Sequence, residues 1–532
     1  MRFKWFNALR ERPLQSHWMI ALLALLYTGI YNLPFFKRLI QVSSEDGILP
    51  VGFLLAAVGL IFCLQMVLFS LLLWPKIGKG LIVITTLLAA PVMYAGWAYG
   101  TLFNYDMIEN IMQTNQAEAS SYFSLSATLV FLLTGLLPVV WIMNQRVQYR
   151  RWYKELAMRI GMIAAAAISL WGIAQFYYQD FAITGRNHTE LRRLLSPFEF
   201  SKSTIKYVRA NYFIDPTPFS VLDESPTLDP QQAPDVMVLM LGETARAQNM
   251  AYYGYGRNTN EYTAKHTMRV LPPTQSCGTA TAVSVPCMFS FLSRSNYDAD
   301  IAQNQDNILD IAQRAGFAVS WIDDDGGCKG VCARVPTITV PVDASDPLCD
   351  GHTCFDEVLV RELQQVLATP SEKPRLIVMH MIGSHGPTYY KRYPADFARF
   401  LPDCPRADIQ HCSQQEIINS YDNTLLYTDF VLSGIIDTLA AHPQLNSQFV
   451  YISDHGESLG EDNYYLHGLP YDMAPEVQKR VPWYLWQNQG VSPDCPVDAA
   501  TISHDNLSHT LLGLLGVQSS VYDPALDLFN GC

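Results

Sequence analysis

Four short apolar runs in the second half of the sequence end in residues capable of acid, base or metal chemistry. The run 236–241 leads into Gly242-Glu243-Thr244, and 317–322 leads into Asp323-Asp324-Asp325. The run 376–381 passes through Gly383 to His385, and 449–452 enters Asp454-His455-Gly456-Glu457. Glu243, Asp454 and His455 form a mixed oxygen and nitrogen donor set of the kind that suits zinc. Three protein ligands leave a coordination position open, as a catalytic metal requires. Taken singly, Glu243 reads as a first-turn helix carboxylate and Asp454-His455 as a loop salt bridge. Converging at strand ends, the three together favour the metal reading.

The stretch 276–287 (SCGTATAVSVPC) carries several hydroxyls just ahead of an apolar stretch, 288–292, that reads as helical. A hydroxyl at a helix start meets unpaired N–H donors and the positive end of the helix dipole, which suits a transferred phosphoryl group. A nearby metal lowers the hydroxyl pKa and makes it a nucleophile. The alternative is simple helix capping by Thr279 or Thr281. Lys329, inside the loop between Cys328 and Cys332, and His385 and His467 are further candidates for contact with substrate. Spacing alone favours a structural role for a lone histidine.

These groups need a scaffold that brings them to one edge. The four runs are too short for helices and too continuous for half-exposed strands, so they read as buried parallel strands. Helical stretches over 305–315, 355–367 and 414–440 alternate with them, which predicts an α/β domain with a doubly wound sheet. In such sheets ligands bind beyond the carboxyl ends of the strands, where the four runs deliver their carboxylates and imidazoles. Upstream, 215–234 is rich in Pro, Asp, Ser and Thr and reads as a linker. The stretch 187–195, with Arg192 and Arg193, reads as an amphipathic segment suited to a membrane surface.

The first third is a membrane domain. Apolar runs over 17–36, 48–74, 80–103, 122–143 and 157–177 each approach or exceed the ~20 residues that cross ~30 Å of hydrocarbon. Arg2, Lys4, Arg10 and Arg12, then Lys76 and Lys79, then Arg146, Arg150, Arg151 and Lys154 fall on one side of five spans. The other side has only Lys37 and Arg38, and 104–121 has no basic residue, so the N-terminus is cytoplasmic and everything beyond Gln179 is outside. Of 11 cysteines, Cys63 sits within a span and the rest are in the exported part. The close couples Cys277/Cys287, Cys328/Cys332, Cys349/Cys354 and Cys404/Cys412 leave Cys495 and Cys532 as the remaining pair. Short spacings also suit zinc, but the even count on an oxidising side favours disulfides. The chain thus divides into a five-span transmembrane domain (1–179), a bridging and linker segment (180–233) and a periplasmic catalytic domain (234–532). A net charge of -13 argues against nucleic acid as a partner.

The segments GETARAQNMAYYGYGRNTN from Gly242, SCGTATAVSVPCMFSFL from Ser276, GSHGPTYYKRYP from Gly383, YDNTLLYTD from Tyr421 and SDHGESLGEDNYYLHGLP from Ser453 together resemble the phosphoethanolamine transferases that modify lipid A, within the alkaline-phosphatase and sulfatase superfamily. The segment order, the five-span anchor and the cysteine couples are also similar to this family. The resemblance implies an alkaline-phosphatase-like catalytic domain in a bacterial inner-membrane protein. It further implies zinc bound by Glu243, Asp454 and His455 with Thr281 facing it, and Thr281 as the nucleophile carrying a phosphoethanolamine intermediate. Lys329, His385 and His467 match positions around the donor headgroup or a second zinc. In MIENIMQTNQAE from Met107, Asn110, Thr114 and Glu118 match headgroup-binding positions; their four-residue spacing would place them on one face of a helix. Gly326 departs from the pattern, standing where some relatives carry serine. The implied reaction moves phosphoethanolamine from phosphatidylethanolamine to Thr281, releasing diacylglycerol, and then to a lipid A phosphate.

Other readings share part of this pattern. A phosphoglycerol- or glycan-directed transferase would use the same metal and threonine logic. A membrane-tethered phosphodiesterase would pass its product to water, and a sulfatase would need Cys or Ser where Thr281 stands. A non-catalytic envelope lipid-binding scaffold would leave the converging ligands without a purpose.

Overall fold

A computed structural model describes residues 13–44, 51–214, 217–489, 497 and 502–531. Arg2, Lys4, Arg10, Arg12, Cys495, Cys532 and the first two residues of the 215–234 linker lie outside the described residues. The described chain packs as two units, Met1–Ile108 with Ser124–Val208, and Glu109–Phe123 with Arg209–Cys532.

In the first unit, Val51–Leu72, Gly78–Ala98, Leu125–Asn144 and Trp152–Asn187 are each long and apolar enough to cross a membrane. The run expected over 17–36 is not one straight helix. Ser16–Tyr31 and Leu33–Ser43 form a pair bent by 53°, and the count is five if that pair is one span. Asn32 makes the break tolerable in an apolar setting. Its amide nitrogen donates to the Tyr27 and Ser196 carbonyls at 2.9 Å each, and its oxygen accepts from Ser196 N at 3.0 Å, which satisfies backbone groups that a bend would strand.

The second unit is built on a seven-stranded sheet. Its strands are β1 (Val236–Gly242), β2 (Arg269–Val270), β3 (Ala318–Asp323), β4 (Thr337–Thr339), β5 (Arg375–His380), β6 (Ser447–Ser453) and β7 (Trp483–Gln487). The order is β2-β7-β6-β1-β5-β3-β4. All four expected runs are strands, and they lie side by side and parallel. The antiparallel strands β7 and β2 at one edge were not evident from the sequence. β7 (WYLWQ) is aromatic and followed by no catalytic-looking residue, so its run did not stand out.

Alternation along β1 feeds two cores. Met237, Leu239 and Leu241 pack with Val285, Met288 and Ile308 on one face; Val238 and Met240 pack with Leu359, Leu363, Val431 and Ile435 on the other. Helices therefore cover both faces, as expected of a doubly wound domain. The covering helices include α2 (Thr281–Phe289), α3 (Ile308–Ala315), α4 (Glu357–Ala368) and α5 (Gln414–Ala440), whereas α1 (Gln116–Ser121) contributes to neither of these cores. Capping boxes start α3 (Asn307 with Asp310) and α5 (Ser413 with Glu416).

Two helical expectations need correction. The helix near 288–292 begins earlier, at Thr281, and stops at Phe289, where the Ser290 hydroxyl donates to the Cys287 carbonyl at 2.8 Å. The polar face expected across Asn110, Thr114 and Glu118 is split between Tyr105–Gln113 and α1. Asn115 causes the split: its backbone is extended and its side chain accepts from Glu118 N at 2.9 Å, capping α1. Part of the 215–234 linker is pinned to the domain, because Thr227–Leu228 pairs with Val517–Gln518. The four close cysteine couples are disulfide-bonded, and Cys63 is free and buried.

Candidate active site

Strand register explains how the site converges. Gly242 lies opposite Ser453, Leu241 opposite His380, and His380 opposite Asp323. One step beyond this common edge come Glu243 and Asp454, then His455. All three are buried, and one donor atom from each lies within 4.8 Å of the others. His455 Nδ1 donates to the Gly456 carbonyl at 2.9 Å. That contact leaves the Nε2 lone pair facing Asp454 Oδ2 at 3.2 Å and Glu243 Oε1 at 3.6 Å. Asp454 Oδ2 has no hydrogen-bond partner among the described residues. Burial and the charge of Glu243 push the Asp454 carboxyl up to about 8. Burial acts the same way on Glu243, but the imidazoles of His455, His385 and His467 hold it below the usual carboxylate range. Two buried carboxylates compelled to titrate apart, with an imidazole lone pair aimed at both, fit a divalent cation.

Thr281 is the first residue of α2, and its hydroxyl does not cap the helix. It donates to Glu243 Oε2 at 3.1 Å and lies 3.3 Å from His455 Nε2. Capping by Thr279 is excluded as well, because its hydroxyl donates to the Leu469 carbonyl. The start of α2 is fastened from both sides. Ser284 Oγ donates to the Asp454 carbonyl at 2.6 Å, and Cys277 N donates to His504 Nδ1 at 3.1 Å.

Glu118 of α1 meets His385 Nε2 at 3.3 Å. Burial opposes the shift, yet the His385 contact and the Lys329 charge hold Glu118 below its usual value. Burial likewise works to lower His385, but the Glu118 contact and charge outweigh it and raise the imidazole above its usual value. The His467 ring lies edge-on to His385 at 5.2 Å between centroids and tilted against His455 at 4.5 Å. Lys329 sits in the Cys328–Cys332 loop in the left-handed region, φ 50°. Thr114 links the pieces of its segment, donating to the Asn110 carbonyl at 2.8 Å and to Glu118 Oε1 at 3.4 Å. Asn110 takes part through its backbone carbonyl. Gly326, with φ 87°, leaves room for Asn115 Nδ2, which a Cβ there would approach to 2.0 Å; that nitrogen donates to the Asp325 carbonyl at 3.0 Å.

Sequence reasoning missed several supporting groups. Glu457 accepts from Tyr389 Oη on one oxygen and faces His467 Nδ1 at 2.9 Å on the other, which turns His467 Nε2 outward. Thr244 is held at φ 62°, a rare conformation for a β-branched residue. Its N–H donates to Asp454 Oδ1 at 3.1 Å, and Tyr421 Oη donates to its carbonyl at 2.7 Å. Gly383, at φ 54°, passes so close that a Cβ would lie 2.7 Å from the Glu243 carbonyl. A positive φ at Thr244 has no sequence signal. The only sequence signal for Glu457 is its place two residues after His455 at the same strand end.

A doubly wound domain with this ligand set at its strand ends, on a chain with an N-terminal membrane region, has the architecture of a membrane-attached sulfatase-type enzyme. The family model for Sulfatase matches residues 235–517, and that for Phosphoethanolamine transferase EptA/EptB matches residues 61–212. The chain is 36% identical to phosphoethanolamine transferase EptA of Escherichia coli strain K12, over 98% of each chain. It is 30% identical to the Kdo(2)-lipid A phosphoethanolamine 7''-transferase of the same strain, over 54% of this chain and 53% of that one. The integral membrane protein lipooligosaccharide phosphoethanolamine transferase A (EptA) from Neisseria meningitidis matches with a TM-score of 0.91 and 33% identity, covering 98% of this chain and 99% of that one. This chain belongs to the phosphoethanolamine transferase EptA family, in the alkaline-phosphatase/sulfatase superfamily.

Proposed function

We propose that this protein transfers phosphoethanolamine from phosphatidylethanolamine to a phosphate of lipid A, through a phosphothreonine at Thr281. The observation that carries the proposal is the Thr281 hydroxyl at the start of α2, within hydrogen-bond distance of both Glu243 and His455. Family membership supports the reaction and the lipid acceptor. Glu243, Asp454, His455 and the Thr281 hydroxyl hold zinc, which supplies positive charge to lower the hydroxyl pKa and offset the charge of the transferred group.

In the first step Thr281 Oγ1 attacks the donor phosphorus. The Oγ1–P bond forms, the bond from phosphorus to the diacylglycerol oxygen breaks, and the hydroxyl proton is released to water. A proton from the His385–His467 pair completes diacylglycerol. In the second step a lipid A phosphate oxygen attacks the same phosphorus, Thr281 Oγ1 leaves and is reprotonated from water, and the proton of the incoming phosphate recharges the histidine pair. Glu118 binds the ethanolamine ammonium, while Lys329 and the free end of α2 hold the phosphoryl oxygens. Asn110 and Thr114 shape the headgroup side.

In this reading residues 1–179 form a five-span anchor in the bacterial inner membrane, 180–233 bridge, and 234–532 form the periplasmic catalytic domain. Four disulfides beyond the last apolar helix support an oxidising compartment. Donor and acceptor are both lipids, so the anchor confines the search to two dimensions. The test is mass spectrometry of the full-length protein incubated with phosphatidylethanolamine and no acceptor, together with lipid A analysis in cells. The peptide containing Thr281 should gain a phosphoethanolamine mass, and Thr281→Ala should lose transfer by on the order of 10³-fold or more while keeping its fold. Undiminished transfer by Thr281→Ala would end the assignment.

A further inference from the structure

His380, the last residue of β5, has no part in the reaction above. It is fully buried, with its ring edge-on to Trp321 at 5.7 Å. Nδ1 lies 3.3 Å from Asp323 Oδ1, and Asp323 is itself held by Trp321 Nε1 at 3.4 Å and Gly326 N at 3.0 Å. A carboxylate fixed on Nδ1–H leaves the lone pair on Nε2, the arrangement that orients a metal-binding histidine. Nε2 has no hydrogen-bond partner among the described residues and lies 3.6 Å from Asp325 Oδ2. Glu243, Asp325 and His380 each bring one donor atom within 4.8 Å of the others.

A buried lone pair facing two carboxylates is repulsive unless positive charge lies among them. A proton on Nε2 serves poorly, since 3.6 Å to Asp325 exceeds hydrogen-bond reach. Lys329 and Arg392 bear on Asp325 through their charges, yet neither forms an ion pair with it among the described residues. A divalent ion about 2.0–2.2 Å from each donor satisfies all three at once.

We propose that Glu243, Asp325 and His380 form a second divalent-cation site, which shares Glu243 with the set formed by Glu243, Asp454 and His455. Two carboxylates with one imidazole suit zinc or manganese. The proposal rests on the reading of the first set only through that shared residue. Two cations on one glutamate would fix its carboxylate and add positive charge beside the strand edge where the transferred group is held.

The full-length protein, purified in detergent and stripped with a chelator, is titrated with zinc alone and with manganese alone. Bound ions per chain are counted by equilibrium dialysis and elemental analysis. With at least one of the two metals, His380→Gln and Asp325→Asn should each bind one ion fewer than the parent. With zinc, His455→Gln should also lose one, a different one, so that His380→Gln combined with His455→Gln loses two. Thermal melts of the stripped proteins check folding, and the near-isosteric Asp325→Asn decides the matter if His380→Gln does not fold. If Asp325→Asn binds as many ions of both metals as the parent, the second site does not exist. If that unchanged count comes with a loss in His455→Gln, the proposed transfer site stands. A full count in His455→Gln would instead remove the first set.

Discussion

Each unit of this protein holds a cluster of buried charged groups, and the two clusters differ in how their hydrogen bonds are completed. In the first unit Arg159 and Glu155 pair at 2.9 Å with each side chain 2% exposed. Every arm of the pair is occupied. Glu155 also accepts from Ser16 Oγ at 2.9 Å and Arg150 N at 3.1 Å, while Arg159 donates to the carbonyls of Ser70 and Leu73 and lies over the Trp74 ring. In the second unit, equally buried groups at the strand edge are left open: Asp454 Oδ2, His385 Nδ1 and His380 Nε2 have no hydrogen-bond partner among the described residues. A closed network holds structure together, whereas an open one is poised for something that arrives. Burial alone would rank the two regions alike; satisfaction tells them apart.

The largest expected effect comes from removing an open ligand. His455→Gln should abolish zinc binding by the first set and lower transfer by on the order of 10³-fold, because a Lewis acid supplies several kcal/mol of charge stabilisation. Its stripped form should melt close to the stripped parent. Normal transfer with a full zinc complement would erase the contrast between the regions. The closed network should behave in the opposite way. Arg159→Met leaves Glu155 buried and unpaired, which costs about 3–5 kcal/mol. Denaturant unfolding of the full chain in micelles should show that loss, while transfer per folded molecule stays within about twofold. Adding Glu155→Leu should restore most of the stability, since replacing both partners of a buried pair is often neutral.

The same contrast explains what the sequence could and could not disclose. Glu243, Asp454 and His455 follow apolar runs directly, so the change from hydrophobic to ionisable marks them. His380 lies at the same strand edge but falls inside a run read as apolar, and only strand pairing places it opposite Asp323. The helix start at Thr281 is hidden in the sequence by Pro286, a residue type that breaks helix interiors. Proline is in fact accommodated within α2. Tyr389 and Glu457 are 68 residues apart, and no local pattern connects them. The bend at Asn32 depends on Ser196, 164 residues away. Local periodicity carries strands, spans and close disulfides; long-range hydrogen bonds carry the rest.

Glu118 stands between the two extremes, being buried and paired with a histidine whose other nitrogen is open. Glu118→Ala should lower transfer from phosphatidylethanolamine ten- to a hundredfold, the equivalent of about 1.5–3 kcal/mol for a charge-assisted contact. A change below twofold would make this segment an ordinary solvated turn. The pair also sets a pH window. Glu118 is lowered from 4.5, so its contribution is complete above that value and lost as pH falls through the lower folded value. His385 is raised from 6.5, so its contribution is complete below that value and lost as pH rises through the higher folded value. The stability difference between the stripped parent and stripped Glu118→Ala should therefore be largest between those two reference values and shrink on both sides.

The smallest effect should come from a closed contact serving an open group. Tyr389 Oη donates to one oxygen of Glu457, whose other oxygen holds His467 Nδ1 at 2.9 Å. Tyr389 is buried and its hydroxyl has no hydrogen bond to Glu243, Asp454 or His455 among the described residues, so it acts by fixing the glutamate that fixes the imidazole. Tyr389→Phe keeps the ring and its edge-on packing against Tyr421 and deletes one hydrogen bond. A net hydrogen bond is worth about 0.5–1.5 kcal/mol, which corresponds to a two- to tenfold loss in rate. The loss should fall on kcat rather than KM, because His467 is assigned to proton delivery and the change leaves the headgroup contacts in place. Glu457→Gln keeps a hydrogen-bonding side chain but removes the negative charge beside His467 Nδ1, so it should cost more than Tyr389→Phe. Equal losses in the two variants would mean that Glu457 only packs the histidine, and that this closed contact belongs with Arg159 and Glu155 as structure.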